Sequence, residues 1–272
     1  MLVVYSVLDA GELYNVSHDG IVGGLSRSLV QLNFPVALVA IPLALLALDV
    51  LPRGAWLAGA PALGLCALVP LVVDPDDLDA RPQNALPAVG VGLALLLTVS
   101  AARRAGMRLA TWRGSDRARL AMALAVMLAS LPWFTAEAGF HFPGDVFLTE
   151  EPYAEPGEAP TPAVHLGHHH GFAGTLLVLS ALLLSRPGVV GTRLRHVYAA
   201  TLSLMLVYGT ANLVQDLWHE QVVKRGWTGR DIPSALLPEP GVMWALILAG
   251  AALVYALGFA RRPRLAEPAI IT

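Results

Sequence analysis

The stretch HVYAATLSLMLVYGTANLVQDLWHE, residues 196–220, decides the fold of this chain. Between His196 and Asp216 it contains no charged residue, and most of its side chains are apolar. About 20 such residues in an α-helix match the hydrocarbon thickness of a bilayer. The stretch therefore predicts a transmembrane helix that leaves the membrane through acidic residues and a histidine.

Similar apolar blocks recur along the rest of the chain. Hydrophobic residues make up 56% of the 272 residues and charged residues only 14%, which is not the composition of an ordinary soluble domain. Blocks that can satisfy their own backbone hydrogen bonds in lipid lie at residues 29–51, 54–73, 86–102, 119–136, 171–186, 194–217 and 241–260. We therefore predict an all-α fold, a polytopic membrane bundle of about seven transmembrane helices.

The arginines predict the orientation of this bundle. They are concentrated in three places: the connection at 103–119, the connection at 186–195 and the tail after 260. Such segments face the cytoplasm in membrane proteins, whereas the remaining connections, such as DPDDLDARP at 74–82, are acidic and should face outward. Alternation then places the N-terminus outside and the C-terminus inside, in a multi-pass protein of the plasma (inner) membrane.

This topology divides the chain into three parts. Residues 1–28 form an external N-terminal segment, residues 29–260 a seven-helix transmembrane domain with an external loop at 137–170, and residues 261–272 a cytoplasmic tail. Within the external loop, residues 143–164 are rich in proline and glutamate. We read that stretch as a flexible, solvated loop.

Charge and cysteine content exclude several classes of function. The formal net charge of -2 provides no basic field, so nucleic acid is not an expected partner. Cys66 is the single cysteine and lies inside an apolar block. Internal disulfides, CxxC redox chemistry and c-type haem attachment are therefore excluded.

Histidines and acidic residues gather at the predicted outer ends of the helices. They come from NVSHDG before the first block, AEAGFH after the fourth, HLGHHH before the fifth and QDLWHE after the sixth. Imidazole and carboxylate ligands without thiolates suit zinc, iron or copper, and residues three or four positions apart share one face of a helix. The predicted metal ligands are His18, Asp19, Glu137, His141, His165, His168, His169, Asp216 and His219.

Glu220 is the predicted catalytic residue, acting as a general base beside the metal. Asn212 and Gln215, on the same helix, are candidates to support the ligands by hydrogen bonding. The alternative reading is that these groups are simply solvated near the membrane interface. Ionisable residues within membrane segments are usually functional, which favours the metal site.

One short string resembles a known motif. HLGHH at 165–169 is similar to the HxxHH box of membrane di-iron desaturases and hydroxylases. That resemblance implies an iron-dependent oxygen chemistry, but it covers five residues, and the other boxes of the family are absent. The seven-span layout with an external N-terminus also looks like that of the ceramidase and progestin-receptor-like zinc hydrolases, whose paired histidines in the last span have no counterpart at 241–260. We assign the chain to neither family.

Three functions remain open from the sequence. The first is a metal-dependent membrane enzyme, a hydrolase or oxygenase acting on a lipid-like substrate that enters from the bilayer. The second is a metal-ion transporter or metal-handling subunit, which ranks lower because transport needs polar groups at the bilayer midplane and these helices offer few. The third is a non-catalytic subunit in which the metal is structural.

Overall fold

The computed structural model describes most of the predicted helical blocks and part of the loops between them. The described residues are 35, 37–49, 51, 56–68, 86–106, 112–133, 149–153, 161–164, 170–187, 192–233, 235 and 241–259. The predicted divisions at 1–28 and 261–272 lie outside these residues.

Each of the seven predicted blocks contains a helix in the described residues. These helices are α1 (Ala37–Asp49), α2 (Trp56–Ala67), α3 (Leu86–Arg104), α4 (Gly114–Ala129), α5 (His170–Leu184), α6 (Thr192–Trp218) and α7 (Val242–Val254). Helix α6 continues through a π-helical turn at His219–Val223, and α7 through another at Tyr255–Phe259. The prediction of a helical bundle is thus confirmed.

Two of the helices are long and apolar enough to cross a bilayer on their own. They are Leu86–Arg104 and the continuous segment Leu194–Val223. The helices at Ala37–Asp49, Gly171–Leu184 and Val242–Gly258 are apolar but shorter. Length and composition therefore support a membrane protein, whereas seven crossings stay a prediction.

Two details of the secondary structure differ from the prediction. Helix α4 begins at Gly114, five residues before the predicted block, because the Asp116 carboxylate accepts a hydrogen bond from the Arg113 backbone N–H at 2.9 Å and caps the first turn. The prediction that 143–164 forms only a flexible loop is wrong: Thr149–Tyr153 (β1) pairs antiparallel with Thr161–Val164 (β2). The loop was predicted from the proline and glutamate content of this stretch, but proline is compatible with a short hairpin when it lies at a strand edge.

Helices α5 and α6 form the centre of the described structure. A Cβ atom added at Gly209 would lie 2.7 Å from the Gly174 carbonyl oxygen, and one added at Gly174 would overlap the Gly209 carbonyl oxygen. The two backbones are therefore in direct contact, as small residues allow between membrane helices. Leu177, Leu202 and Ile247 are almost completely buried around this crossing, and α7 completes the cluster.

A second pair, α2 and α3, packs in the same way. An added Cβ at Gly90 would lie 2.8 Å from both the Ala62 carbonyl oxygen and the Cys66 sulfur. Helix α1 contacts this pair, since the Thr98 hydroxyl of α3 donates to the Leu43 carbonyl of α1 at 2.7 Å. Helix α1 also contacts the centre, since its Leu46 belongs to the central cluster. Close backbone contact and an interhelical hydrogen bond thus hold α1, α2 and α3 together.

The arginine-rich ends of α4 and α5 meet around one buried carboxylate. Asp116, whose side chain is 4% exposed, accepts hydrogen bonds from Arg119 and Arg186 at 3.1 Å each. Arg119 also donates to the Ser185 hydroxyl at 2.7 Å. The two connections that the sequence predicts to be cytoplasmic therefore lie at the same end of the bundle.

We predict that Gly174→Ala destabilises the protein by about 1–3 kcal/mol, because the new methyl group overlaps the Gly209 carbonyl and must push α5 and α6 apart. The control is Gly92→Ala on α3, where an added Cβ has no neighbouring atom within 4 Å. That change should be neutral or slightly stabilising, since alanine favours the helix more than glycine does. Thermal unfolding in detergent measures both, and equal midpoints for the two variants would contradict the close packing.

We also predict an acid-dependent loss of stability from Asp116. Its pKa is lowered from the ordinary 3.8, chiefly by the Arg113 backbone N–H and further by Arg186 and Arg119, which outweigh burial. A lowered pKa in the folded state stabilises the fold above pH 3.8, and the contribution is lost as the pH falls through the lowered value. Asp116→Asn should therefore flatten the acid limb of the thermal midpoint against pH. Arg117→Gln, an exposed neighbour, should leave that limb unchanged, and an unaltered limb in Asp116→Asn would refute the assignment.

Candidate functional site

Three of the ten predicted site residues fall in the described structure. Asp216 lies in the last turn of α6, and His219 and Glu220 lie in the π-helical turn that continues it. The other seven lie outside the described residues, and they are His18, Asp19, Glu137, His141, His165, His168 and His169. The described part of the predicted site is therefore the carboxyl end of α6.

Two carboxylates are buried together at this end of the helix. Asp216 and Glu220 are each 7% exposed, and they lie close enough for their charges to interact. Their spacing of four residues places them on neighbouring turns of one face. Charged groups on an otherwise apolar helix are costly to bury, so they mark a functional or structural role.

The Asp216 carboxylate connects three helices. It accepts a hydrogen bond from the backbone N–H of Gly171, at the start of α5, at 2.8 Å, and another from the indole of Trp133, just after α4. The first N–H groups of a helix have no partner within the helix and carry its positive dipole end. Asp216 thus satisfies the amino end of α5 while it fixes α6 against both neighbours.

Gly171 is required at this point by the packing of Trp133. An added Cβ at Gly171 would overlap the six-membered ring of the Trp133 indole. Trp133 itself is 2% exposed and packs with Phe172 and Leu213 in a separate apolar cluster. This cluster shields the Asp216 carboxylate on the side of α4.

Glu220 has a different partner, the lysine one turn further on. The Lys224 ammonium lies 3.0 Å from a Glu220 carboxylate oxygen, and both side chains are largely buried. Asp216 also interacts with the Lys224 charge. Two carboxyl groups and one ammonium therefore share a buried region.

His219 lies beside a different acidic residue, Asp231. Its Nδ1 atom lies 3.9 Å from the Asp231 carboxylate, which is 64% exposed. In the part of the chain that the structure describes, no three histidine, cysteine or acidic side chains lie close enough to hold one ion. The described structure thus joins Asp216 with Glu220 and places His219 beside Asp231.

The π-helical turn and the segment after it fold back over the end of α6. The Lys224 N–H donates to the His219 carbonyl at 2.9 Å, the five-residue spacing of a π-helix. The Trp218 indole then donates to the Arg230 carbonyl at 2.7 Å, and Gln215 accepts from the Ala235 N–H at 2.5 Å. Gln215 therefore binds the segment that follows the π-helical turn. Asn212 donates to the Tyr208 carbonyl of its own helix at 2.8 Å.

Two described segments that flank the histidine-rich stretch contact this region. Strand β2, which ends at Val164, contacts the π-helical turn. The Gly171 N–H, near the start of α5, is bonded to Asp216. The stretch at 165–169 connects these two points in the sequence and lies outside the described residues.

Sequence reasoning missed several partners of the carboxylates. Lys224 is detectable, because Glu220 and Lys224 have the four-residue spacing of a helical ion pair. Trp133 and Gly171 carry no such local signal, since only tertiary packing brings them to Asp216.

Comparisons of this chain with protein-family models, curated proteins and solved structures gave no match.

We predict that Asp216→Ala destabilises the protein by about 1–3 kcal/mol, because it leaves the buried N–H groups of Gly171 and Trp133 without an acceptor. Asp216→Asn keeps one carbonyl oxygen as an acceptor and should therefore lose less stability than Asp216→Ala. The control is Thr210→Ala on the same helix, where the hydroxyl is exposed and bonds only to its own helix. Thermal unfolding in detergent measures the three variants, and an Asp216→Ala midpoint equal to that of Thr210→Ala would refute the role.

Proposed function

We propose that this chain is an integral membrane metalloprotein with its metal site at the carboxyl end of α6. In this proposal it is a metal-dependent enzyme, a hydrolase or an oxygenase, acting on a lipid-like substrate at the predicted outer face. The observation that carries the proposal is the buried pair Asp216 and Glu220 with a single ammonium partner.

Membrane insertion is supported by the apolar surface of the bundle. Helices α3, α4 and α7 expose rows of large apolar side chains, which in water would form unusually large hydrophobic patches. Examples on these three helices are Leu96, Leu128 and Leu253, each about 60% exposed or more. Lipid is the environment in which such surfaces are stable.

A cation at the carboxylate pair is supported by charge and by donor chemistry. The buried group contains two carboxyl groups, Asp216 and Glu220, and one ammonium, Lys224, so a nearby cation would stabilise the ionised form of both carboxylates. The Asp216 carboxylate has about four lone-pair positions and uses two for Gly171 and Trp133, so it retains acceptor capacity for an ion. The residues present therefore fit a metal ligand role.

The proposed ligand set combines Asp216 with residues of three other segments. Zinc, iron or copper supplies the activation of water or oxygen in such a site. Glu220, positioned by Lys224, is the proposed general base. The proposed partners of Asp216 are His18, Asp19, Glu137, His141, His165, His168, His169 and His219.

A structural role for the metal is the second candidate, and one observation favours it. Asp216 already ties α4, α5 and α6 together through Trp133 and Gly171, so an ion bound beside it would strengthen the same junction. Transport is less well supported by the geometry. Towards the other end of α6 the buried hydroxyl of Ser203 bonds to its own helix at the Ala199 carbonyl, which offers no relay for an ion.

We predict that the purified protein holds a stoichiometric transition metal, measured by elemental analysis. Asp216→Asn should lose most of that metal, because it removes a charged ligand, whereas Asp231→Asn, an exposed acid at the same end, should retain it. Glu220→Gln should keep the metal but lower the thermal midpoint, because it removes the direct carboxylate partner of the buried Lys224 ammonium. A wild-type protein that contains no such metal, and takes none up on addition, would refute the proposal.

Chelation then separates the two candidates. The thermal midpoint should fall after chelation in both cases, because a bound ion stabilises the state that binds it. If the metal is catalytic, the metal-free protein should still be folded at room temperature, since the hydrogen bonds of Asp216 hold the three helices. Loss of the folded state itself on chelation, seen by circular dichroism, indicates the structural role instead.

A further inference from the structure

Arg225, a charged residue just after the π-helical turn, has no ionic partner in the described part of the chain. The guanidinium of Arg225 donates from one Nη atom to the Gln221 side-chain oxygen at 3.3 Å, and its Nε atom is buried without a hydrogen-bond partner. Among the described residues, no carboxylate forms an ion pair with Arg225. The neighbouring Lys224, in contrast, is neutralised by Glu220.

The Arg225 guanidinium also lies over an exposed aromatic ring. Its central carbon is 5.9 Å from the centroid of the Trp227 ring, a cation–π arrangement. Trp227 is 72% exposed, although it is the largest apolar side chain in this segment. An exposed tryptophan beside the end of an apolar helix is typical of the interface between lipid and water.

The position along the chain fits the level of lipid headgroups. The apolar segment ends at Val223, so Arg225 follows it by two residues. A guanidinium presents a planar fork of N–H donors that matches the oxygens of a phosphate. A half-buried guanidinium without an acidic partner is stabilised when such an anion neutralises it.

We propose that Gln221, Arg225 and Trp227 form a headgroup site that binds the phosphate of an anionic phospholipid. Arg225 supplies the donors, Trp227 supports the guanidinium plane and packs against the upper acyl region, and Gln221 orients the fork. The inference rests on the proposed membrane insertion of α6 and is independent of the metal. Displacement by inorganic phosphate distinguishes a lipid ligand from free phosphate.

Native mass spectrometry of the full-length protein in detergent tests this site, with phosphatidylglycerol and phosphatidylcholine of the same chain length as probes. Arg225→Gln should weaken phosphatidylglycerol binding about tenfold or more, because it removes a charge-assisted hydrogen-bond donor. Arg230→Gln is the matched control: it is an exposed arginine in the same segment that bonds through its backbone. It should change binding within about twofold, since exposed charges contribute little.

Two further variants keep the test decisive if Arg225→Gln folds poorly. Arg225→Lys retains the charge but not the fork and should give an intermediate affinity, and Trp227→Ala should weaken binding without unfolding the protein, because the ring is exposed. Equal losses in Arg225→Gln and Arg230→Gln, or a loss of stability without a loss of lipid binding, would overturn the proposal. Displacement of phosphatidylglycerol by inorganic phosphate at the same concentration would overturn the assignment to a lipid. Because metal content is measured separately, failure here is distinct from failure of the proposed metal site.

Discussion

The close approach of α5 and α6 is the contact on which the described structure depends. Gly174 and Gly209 let the two backbones touch, and this contact places the amino end of α5 beside the last turn of α6. The Gly171 N–H can then donate to Asp216, and Trp133 of the preceding segment can pack over the same glycine. A larger residue at the crossing would separate the two helices and with them the partners of the buried carboxylate.

At each polar end of the bundle a buried aspartate links neighbouring helices, but the two aspartates have different hydrogen-bond donors. At one end Asp116 is neutralised by Arg119 and Arg186 and ties α4 to α5. At the other end Asp216 ties the same helices to α6, but its direct hydrogen-bond donors are an amide and an indole, which carry no net charge. Asp116 is therefore neutralised by direct ion pairs, whereas Asp216 has no direct ion-pair partner among the described residues. This difference distinguishes the carboxyl end of α6 from the arginine-rich end.

Hydrophobic block length sufficed to predict the helices, because each block must bury its backbone hydrogen bonds wherever it lies. Helix ends were less predictable: Asp116 extends α4 by capping Arg113, and a π-helical turn carries α6 on to Val223. In the site, the proximity of Asp216 to Glu220 followed from helical spacing. The contributions of Trp133 and Gly171 did not, since they come from residues distant in sequence. The hairpin at Thr149–Tyr153 and Thr161–Val164 was missed because its composition is that of a loop.

The proposed function requires that the bundle cross a membrane with its arginine-rich end inside and its carboxylate end outside. Cysteine accessibility tests this directly, after Cys66, the single native cysteine, is replaced by alanine. Ala105→Cys lies at the exposed end of α3 and Gly229→Cys at an exposed position beyond α6. In right-side-out vesicles an impermeant maleimide should label Gly229→Cys and not Ala105→Cys, with the reverse in inverted vesicles. Labelling of both positions from the same side would contradict the account.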